Sequence, residues 1–260
     1  MKLDFVSMAA HELRTPLTAI QGYLELMMFG DNSKDFNDSN KRYIEQARVS
    51  SKELSELITK LLSVSRIEHG NFKMNWDKVD IAARVKEAVD SLQFNAKEKK
   101  VTLSMSGNTH DEFIVGDRYS IQEVINNLID NAIKYNHENG QVMVNVEDDN
   151  SNYIITVKDT GIGIPKNAIP YLFTKFYRVH GGLESGSTGT GIGLYLAKQI
   201  VESHKGTISV NSEVGQGTSF VITLPHYSDT LMNLVKGNDN NTNNGESSRA
   251  WNTKNINRWR

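Results

Sequence analysis

The sequence predicts a multidomain chain: an all-α antiparallel helical hairpin, then an α+β two-layer sandwich with one sheet and one layer of helices. The first observation is length, since 260 residues are more than one typical hydrophobic core requires. The second is that residues 1–70 carry apolar side chains at helical spacing. The third is that residues 80–226 mix helical and alternating patterns without a regular βαβ order. We therefore expect residues 71–79 to be a linker between the two domains.

The composition excludes several classes of function. The net charge of −2 gives no reason to expect nucleic acid or an anionic membrane surface as a partner. The chain has no cysteine, so it can form neither a disulfide nor a thiolate metal site. It contains no run of about 18 apolar residues and no recognisable signal peptide, so we expect no membrane contact by this segment.

The first element is a long amphipathic helix over residues 2–29. His11 falls roughly 180° from the middle of its apolar stripe, so the pattern predicts an imidazole held in water. Thr15 lies one turn further on the same face, Glu12 is adjacent, and Pro16 should kink the helix just past the histidine. The apolar stripe consists of Phe5, Ala9, Leu13, Pro16, Leu17, Ile20, Leu24 and Met27.

The second helix is predicted over residues 38–69, after a polar, turn-rich connection at 30–37. Two helices joined by a short loop form an antiparallel hairpin, and each has an apolar stripe that one hairpin cannot fully bury. We expect a homodimer through residues 1–70, a four-helix bundle; the alternative is a hairpin packed on the second domain alone. The coiled-coil-like seam of the second helix consists of Ile44, Ala47, Ser51, Leu54, Ile58, Leu61 and Ser65.

The sandwich domain is predicted from strand alternation and from helix start signals. Asp117 is expected to cap a helix that continues through Tyr135. Residues 160–190 are Gly-rich and should be irregular. The other predicted elements are helices at 80–99 and 191–204, strands at 101–105 and 113–115, and hairpins at 141–148 with 152–159 and at 206–211 with 217–224.

The C-terminal residues 227–260 are predicted to be disordered. The stretch is rich in asparagine and has few apolar side chains, so it cannot bury enough surface to fold. Trp251 and Trp259 lie there beside basic residues, which leaves two interpretations open: a docking peptide, or an end with no selected role.

Four separated segments carry polar side chains or glycines in patterns that suit a nucleotide. Asn127, Asn131 and Lys134 are spaced i, i+4 and i+7, on one helix face, where amide oxygens suit magnesium and an ammonium suits phosphate. Taken alone, this pattern is better explained as a polar surface stripe. Asp159 opens DTGIGIP just after a strand, where its carboxylate can accept the exocyclic amine of adenine. The others are FTKFYR at 173–178 and GSTGTGIGL at 186–194, which leads into a helix whose amides can bind an anion.

The hexapeptide HELRTP at residues 11–16 resembles the phosphoacceptor box of sensor histidine kinases, the input half of two-component signalling. In order and spacing, the four later segments resemble the asparagine, first glycine, phenylalanine and second glycine boxes of the histidine-kinase ATPase domain. That fold is similar to the ATPase domains of gyrase and of heat-shock chaperones. Together the resemblance covers residues 4–225.

The resemblance implies roles for individual residues. Asn131 would hold Mg²⁺, with Asn127 assisting at the metal or the phosphates. Lys134 and Arg178 would contact phosphates. Tyr135 and Asp159 would contact the adenosine end of ATP. The remaining residues assigned to the nucleotide site or its lid are Gly161, Gly163, Lys175, Gly189, Thr190, Gly191, Gly193, Leu194 and Thr218.

The function implied is an ATP-dependent protein histidine kinase that autophosphorylates His11 and passes the phosphoryl group to an aspartate of a response regulator. Because neutral imidazole carries its lone pair on one nitrogen, Glu12 is expected to hold the opposite N–H and later accept its proton. Thr15 is expected to position a water for dephosphorylation of the regulator, and Arg178 to neutralise charge. Two other classes stay open: an ATP-driven conformational machine, and a dimeric scaffold that merely binds nucleotide.

The resemblance also bears on location. Kinases of this kind often carry sensing and membrane-spanning segments before the phosphoacceptor helix. We therefore expect a cytoplasmic chain, either a kinase without a sensor or the cytoplasmic part of a membrane-anchored protein.

Overall fold

The computed structural model describes residues 2–29, 38–68, 72–107, 113–179 and 190–242. Helix α1 (Lys2–Phe29) continues through Pro16, and helix α2 (Asp38–Glu68) packs against it. The two are antiparallel, because Leu13 packs on the cluster that contains Leu57 and Val64, in the C-terminal half of α2, while Tyr23 stacks on Tyr43 near its start, with ring centroids 6.3 Å apart. The predicted hairpin is confirmed, although its connection at 30–37 lies outside the described residues. No helix in the described ranges is long and apolar enough to cross a membrane.

The second domain is built on a five-stranded sheet with the order β2-β4-β5-β7-β6. Strand β2 runs parallel to β4, and the other neighbours are antiparallel. Helices α3, α4 and α5 cover one face and form the main core with it, which confirms the two-layer sandwich. The elements are α3 (Ile81–Glu98), β2 (Thr102–Gly107), β3 (Phe113–Gly116), α4 (Arg118–Lys134), β4 (Gln141–Asp148), β5 (Asn152–Asp159), α5 (Gly193–Ser203), β6 (Thr207–Glu213) and β7 (Gly217–Pro225), with a short 3-10 turn at Ile169–Tyr171.

The local sequence explains why these elements form. Strand β5 alternates, with Tyr153, Ile155 and Val157 buried against the helices. Helix α4 begins where predicted, because the Asp117 side chain accepts hydrogen bonds from Tyr119 N and Ser120 N, at 3.1 and 2.8 Å. The consequence is that α4 lies across the sheet with its C-terminal half beside the end of β5.

The predicted linker at 71–79 is too long. Residues Asp77–Asp80 form strand β1, which pairs antiparallel with β3 beside the main sheet. Met74 and Val79 are already buried in the main core, so the sandwich domain begins before residue 80. A strand of four residues with three charged side chains carries too little apolar alternation to be recognised in the sequence.

The prediction of a disordered tail from residue 227 is wrong for its first part. Residues Asp229–Thr242 form helix α6. Its Met232 and Val235 are buried against Val115, with Trp76 partly buried beside them. These few apolar residues of α6 suffice because the sandwich domain supplies the other side of the contact, which composition alone does not reveal. Trp251 and Trp259 lie outside the described residues.

The hairpin also packs on the sandwich domain. This contact belongs to the alternative to the homodimer, in which the hairpin packs on the second domain alone. Leu57 and Val64 of α2 form a buried cluster with residues of the second domain. An ion pair between Lys175 and Glu68 borders it. The buried residues that the second domain contributes are Phe176, Ile192 and Leu196.

Candidate nucleotide site and phosphoacceptor helix

Asp159, at the end of β5, is the most informative residue of the site. Its side chain is 6% exposed. Its Oδ1 accepts hydrogen bonds from Gly161 N at 2.8 Å and Thr218 N at 3.2 Å, whereas Oδ2 has no hydrogen-bond partner among the described residues. Burial raises the pKa of this carboxyl, and the two backbone hydrogen bonds only partly offset that effect. A buried carboxylate with one oxygen unused is suited to accept a hydrogen bond from a ligand.

The glycines of the predicted first glycine box are required by close backbone approach. A Cβ on Gly161 would lie 2.3 Å from the Tyr135 carbonyl oxygen, which itself accepts a hydrogen bond from Ile162 N. Gly163 has φ +68° and packs on the Glu213 carbonyl. The loop after β5 is thereby held against both the end of α4 and the β6–β7 turn.

The predicted polar face of α4 meets the start of α5. A Cβ on Gly193 would lie 2.3 Å from Asn127 Oδ1, so the start of α5 lies directly against the Asn127 side chain. Asn127 Nδ2 is buried with no hydrogen-bond partner in the described part of the chain, and the half-buried Asn131 side chain is likewise unbonded there. Among the described residues no side chain caps α5, so its first-turn amides are suited to bind an anion.

Two cations lie together at the C-terminal end of α4. Lys134 is half-buried, and burial lowers the pKa of its ammonium, with Arg178 nearby lowering it further while Asp130 opposes them. Its Nζ lies 5.3 Å from the Tyr135 ring centroid. Burial also raises the pKa of the Tyr135 phenol. Two like charges on a partly desolvated surface favour binding of a polyanion such as a triphosphate.

The described segments on either side of residues 180–189 contact each other. Phe176 N donates a 2.9 Å hydrogen bond to the Gly191 carbonyl, and both residues have positive φ, +60° and +66°. Thr190 Oγ1 accepts a 3.4 Å hydrogen bond from Ile192 N, and Leu194 packs on the main core. Gly189 lies outside the described residues.

Lys175, predicted at the nucleotide site, is engaged elsewhere. It forms the ion pair with Glu68 of α2, and its Nζ lies 5.0 Å from the Tyr195 ring centroid. Burial lowers the pKa of its ammonium. Its described contacts thus link the sandwich domain to the hairpin, rather than joining it to Lys134 and Arg178.

The phosphoacceptor segment lies within helix α1. Thr15 is exposed, and Leu13 faces the contact between hairpin and sandwich domain. The side chains of His11 and Glu12 lie outside the described residues, so their predicted roles stay predictions.

The metal prediction rests on amide oxygens. No group of three or more His, Cys, Asp or Glu side chains that could hold a metal occurs within the described residues. A magnesium site with one or two protein oxygens, completed by phosphates and water, needs no such cluster. The unbonded Asn131 carboxamide beside Asn127 fits this kind of site.

The comparisons with known proteins agree with this geometry. Residues 1–70 match the family described as His Kinase A (phospho-acceptor) domain, and residues 116–228 match Histidine kinase-, DNA gyrase B-, and HSP90-like ATPase. Sensor protein SrrB of Staphylococcus aureus is 33% identical over 226 residues, which cover 86% of this chain and 38% of SrrB. The chain belongs to the sensor histidine kinases.

Solved structures have the same fold as this kinase. Acinetobacter baumannii histidine kinase AdeS is 26% identical, with a TM-score of 0.66 over 84% of this chain and 98% of that one. Histidine kinase ThkA, solved in complex with response regulator protein TrrA, is 23% identical, with a TM-score of 0.66 over 86% of this chain and 61% of that one. The chain spans less than half the length of SrrB.

Sequence reasoning missed the partners of two residues that it had assigned to the site. Ser212 is buried behind Thr218, and Glu68 of α2 pairs with Lys175. Ser212 is a polar residue in a strand just before a glycine turn, a pattern that suggests an exposed side chain. Only the pairing of β6 with β7 shows that it is buried.

Proposed function

We propose that this kinase core transfers the γ-phosphoryl group of ATP to its own His11 and then passes it to an aspartate of a response regulator. The observation that carries the proposal is the unused Oδ2 of buried Asp159, at one end of a surface that continues to Lys134 and the uncapped start of α5. Such a surface offers an acceptor to a purine amine, and cations with free amides to a triphosphate. We also propose a cytoplasmic location, because the reaction consumes ATP.

Each part of the nucleotide has a chemical counterpart in this proposal. The amine of adenine donates to Asp159, and the adenosine end packs near Tyr135. The phosphates meet Lys134, Arg178 and the first amides of α5. Asn131, assisted by Asn127, would hold Mg²⁺, which when bound neutralises phosphate charge.

The chemistry at the acceptor follows from imidazole. A neutral ring nitrogen of His11 attacks the γ-phosphorus, an N–P bond forms, and the bond from that phosphorus to the β–γ bridging oxygen breaks, releasing ADP. The proton on the opposite ring nitrogen must leave afterwards, and Glu12 is the proposed acceptor. The product is a phosphoramidate, from which a regulator aspartate can take the phosphoryl group.

We propose that the kinase works as a homodimer through residues 1–70. Leucine and isoleucine side chains on α1 and α2 remain 41–52% exposed although α2 also packs on the sandwich domain. An uncovered apolar surface of this kind is typical of a surface that binds a partner, and a second copy completes a four-helix bundle. The residues concerned are Leu17, Leu24, Leu26, Ile44, Ile58 and Leu62.

The partner proposed for phosphotransfer is a response regulator receiver domain. The match of residues 1–70 to the phosphoacceptor family supports it, as does the solved pairing of ThkA with TrrA. Thr15 is exposed on α1, where its hydroxyl could position a water that dephosphorylates the regulator.

The test uses purified chain 1–260, magnesium and γ-labelled ATP. We expect acid-labile, base-stable label on the protein, and none on His11→Gln although that variant still binds ATP. An ATP-driven machine would instead keep hydrolysing ATP in His11→Gln, and a scaffold would never acquire label. Either result would overturn the kinase proposal.

A further inference from the structure

A buried hydroxyl lies directly behind the proposed purine site. Ser212, in β6, is 7% exposed, and its register partner in β7 is Thr218, also 7% exposed. Ser212 Oγ lies 2.9 Å from Thr218 Oγ1 and 2.8 Å from the Gly217 carbonyl oxygen, and it accepts a 2.8 Å hydrogen bond from Ile164 N. One hydroxyl therefore joins the β6–β7 hairpin to the loop that follows Asp159.

The three contacts of Ser212 can all be hydrogen bonds at the same time in one arrangement only. A serine hydroxyl has one proton and two lone pairs. The Gly217 carbonyl can only accept and Ile164 N–H can only donate, so the Ser212 proton goes to Gly217 and one lone pair is used by Ile164. Thr218 must then donate its own proton to the remaining lone pair of Ser212. Its hydroxyl has no proton left and can act only as an acceptor.

Thr218 is also tied to the carboxylate that is proposed to read adenine. Its backbone N–H donates to Asp159 Oδ1 at 3.2 Å, so the start of β7 at Thr218 lies beside Asp159. With Oδ2 of Asp159 unused, the purine edge would face two acceptors and no hydroxyl donor. An amino group satisfies acceptors of this kind, whereas a carbonyl oxygen would be repelled by them.

We propose that Ser212 is a positioning residue for nucleotide selectivity, which locks the Thr218 hydroxyl as an acceptor and so favours 6-aminopurines over 6-oxopurines. This inference rests on the proposed function, since it assumes that the site binds ATP. A serine with a merely structural role, in holding Ile164 and Gly217 together, would affect every nucleotide equally.

The experiment compares binding of ATP and of inosine triphosphate (ITP), which carries a carbonyl oxygen in place of the 6-amino group, to the chain 1–260 and to Ser212→Ala. Without Ser212 the Thr218 proton is free to turn toward the purine and donate to the 6-oxo group. We expect ATP binding to weaken about tenfold and ITP binding to weaken less than about twofold, so that the preference for ATP falls at least about fivefold.

Three further variants keep the test decisive. Ser212→Thr retains the hydroxyl and should keep the parent preference, and Ser212→Cys, whose thiol donates and accepts hydrogen bonds only weakly, replaces Ser212→Ala if the alanine variant does not fold. In the double variant Ser212→Ala with Thr218→Val the donor is gone, so ITP should bind more weakly than to Ser212→Ala alone.

The outcomes separate this inference from the proposed function. Equal weakening of ATP and ITP in Ser212→Ala, or equal ITP binding by the single and double variants, would overturn the inference while leaving the kinase proposal intact. A parent chain that binds neither nucleotide would overturn the proposed function itself.

Discussion

The substitution Asp159→Asn should separate nucleotide binding from stability. In the amide, Oδ1 can still accept the hydrogen bonds from Gly161 N and Thr218 N. Oδ2, however, is replaced by an NH₂ group. Because this group and the adenine amine are both donors, they cannot form a hydrogen bond with each other. Loss of one hydrogen bond to a charged group costs about 1.5–3 kcal/mol, so we expect ATP to bind roughly 10- to 150-fold more weakly.

The same change should not lower the stability of the nucleotide-free protein. Because burial raises the pKa of Asp159, the folded protein binds more protons than the unfolded chain between the unfolded and folded pKa values. The free energy of unfolding therefore falls as pH rises through that range, and above it the ionised carboxylate is a net cost to folding. The amide carries no such cost, so near neutral pH Asp159→Asn should unfold at the same temperature as the parent or a higher one.

Asp117→Asn is the matched control. Asp117 is 5% exposed and lies at the opposite end of α4. Burial alone would raise the pKa of its carboxyl, but hydrogen bonds from Ser120, Asn75 and Tyr119 outweigh that effect and lower it. Here the charge favours folding above the unfolded pKa, and this contribution is lost as pH falls through the folded pKa. Asp117→Asn should therefore lower stability and leave ATP affinity unchanged.

Calorimetric ATP binding and thermal unfolding without nucleotide measure both effects. The reasoning is refuted if Asp159→Asn binds ATP within about threefold of the parent, or if it loses as much stability as Asp117→Asn.

Three other predictions follow from the fold. Burial lowers the pKa of His204 from 6.5 to about 4, so this side chain stays neutral in the folded protein while the unfolded chain binds the extra proton. The free energy of unfolding in urea should therefore fall by up to about 3 kcal/mol from pH 6.5 to about 4. A flat pH profile would contradict this. Leu57→Ala should weaken docking of the sandwich domain on α2 by about 2–4 kcal/mol and increase the radius of gyration measured by solution scattering. The control Lys52→Ala changes an exposed residue and should leave the radius of gyration unchanged. Equal radii for the two variants would refute the contact. Thr15→Ala should abolish dephosphorylation of the regulator with autophosphorylation intact, and an unchanged phosphatase rate would remove Thr15 from that role.

Local patterns predicted most elements of the fold. The β4–β5 hairpin and the start of α4 at Asp117 follow from alternation and capping, which depend on residues near in sequence. Strand β1 and helix α6 were missed because their apolar residues are few, and their stability depends on contacts with distant segments such as Val115.

The same distinction holds for the site. Asp159, Asn127 and Gly193 could be predicted because each belongs to a compact motif, and the structure brings all three to the same end of the sandwich domain. Lys175 was predicted at the nucleotide but pairs with Glu68, since a basic residue in a sequence motif does not reveal which acidic residue will face it. Ser212 could not be found from spacing, because its role depends on strand register.

The central claim is that His11 receives phosphate from ATP. The measurement that tests it most directly is mass mapping of peptides from the chain 1–260 after incubation with magnesium and ATP, under conditions that preserve phosphoramidates. We expect one phosphorylated imidazole, at His11. Phosphate on any other side chain, or complete ATP turnover with the peptide containing His11 unmodified, would contradict it.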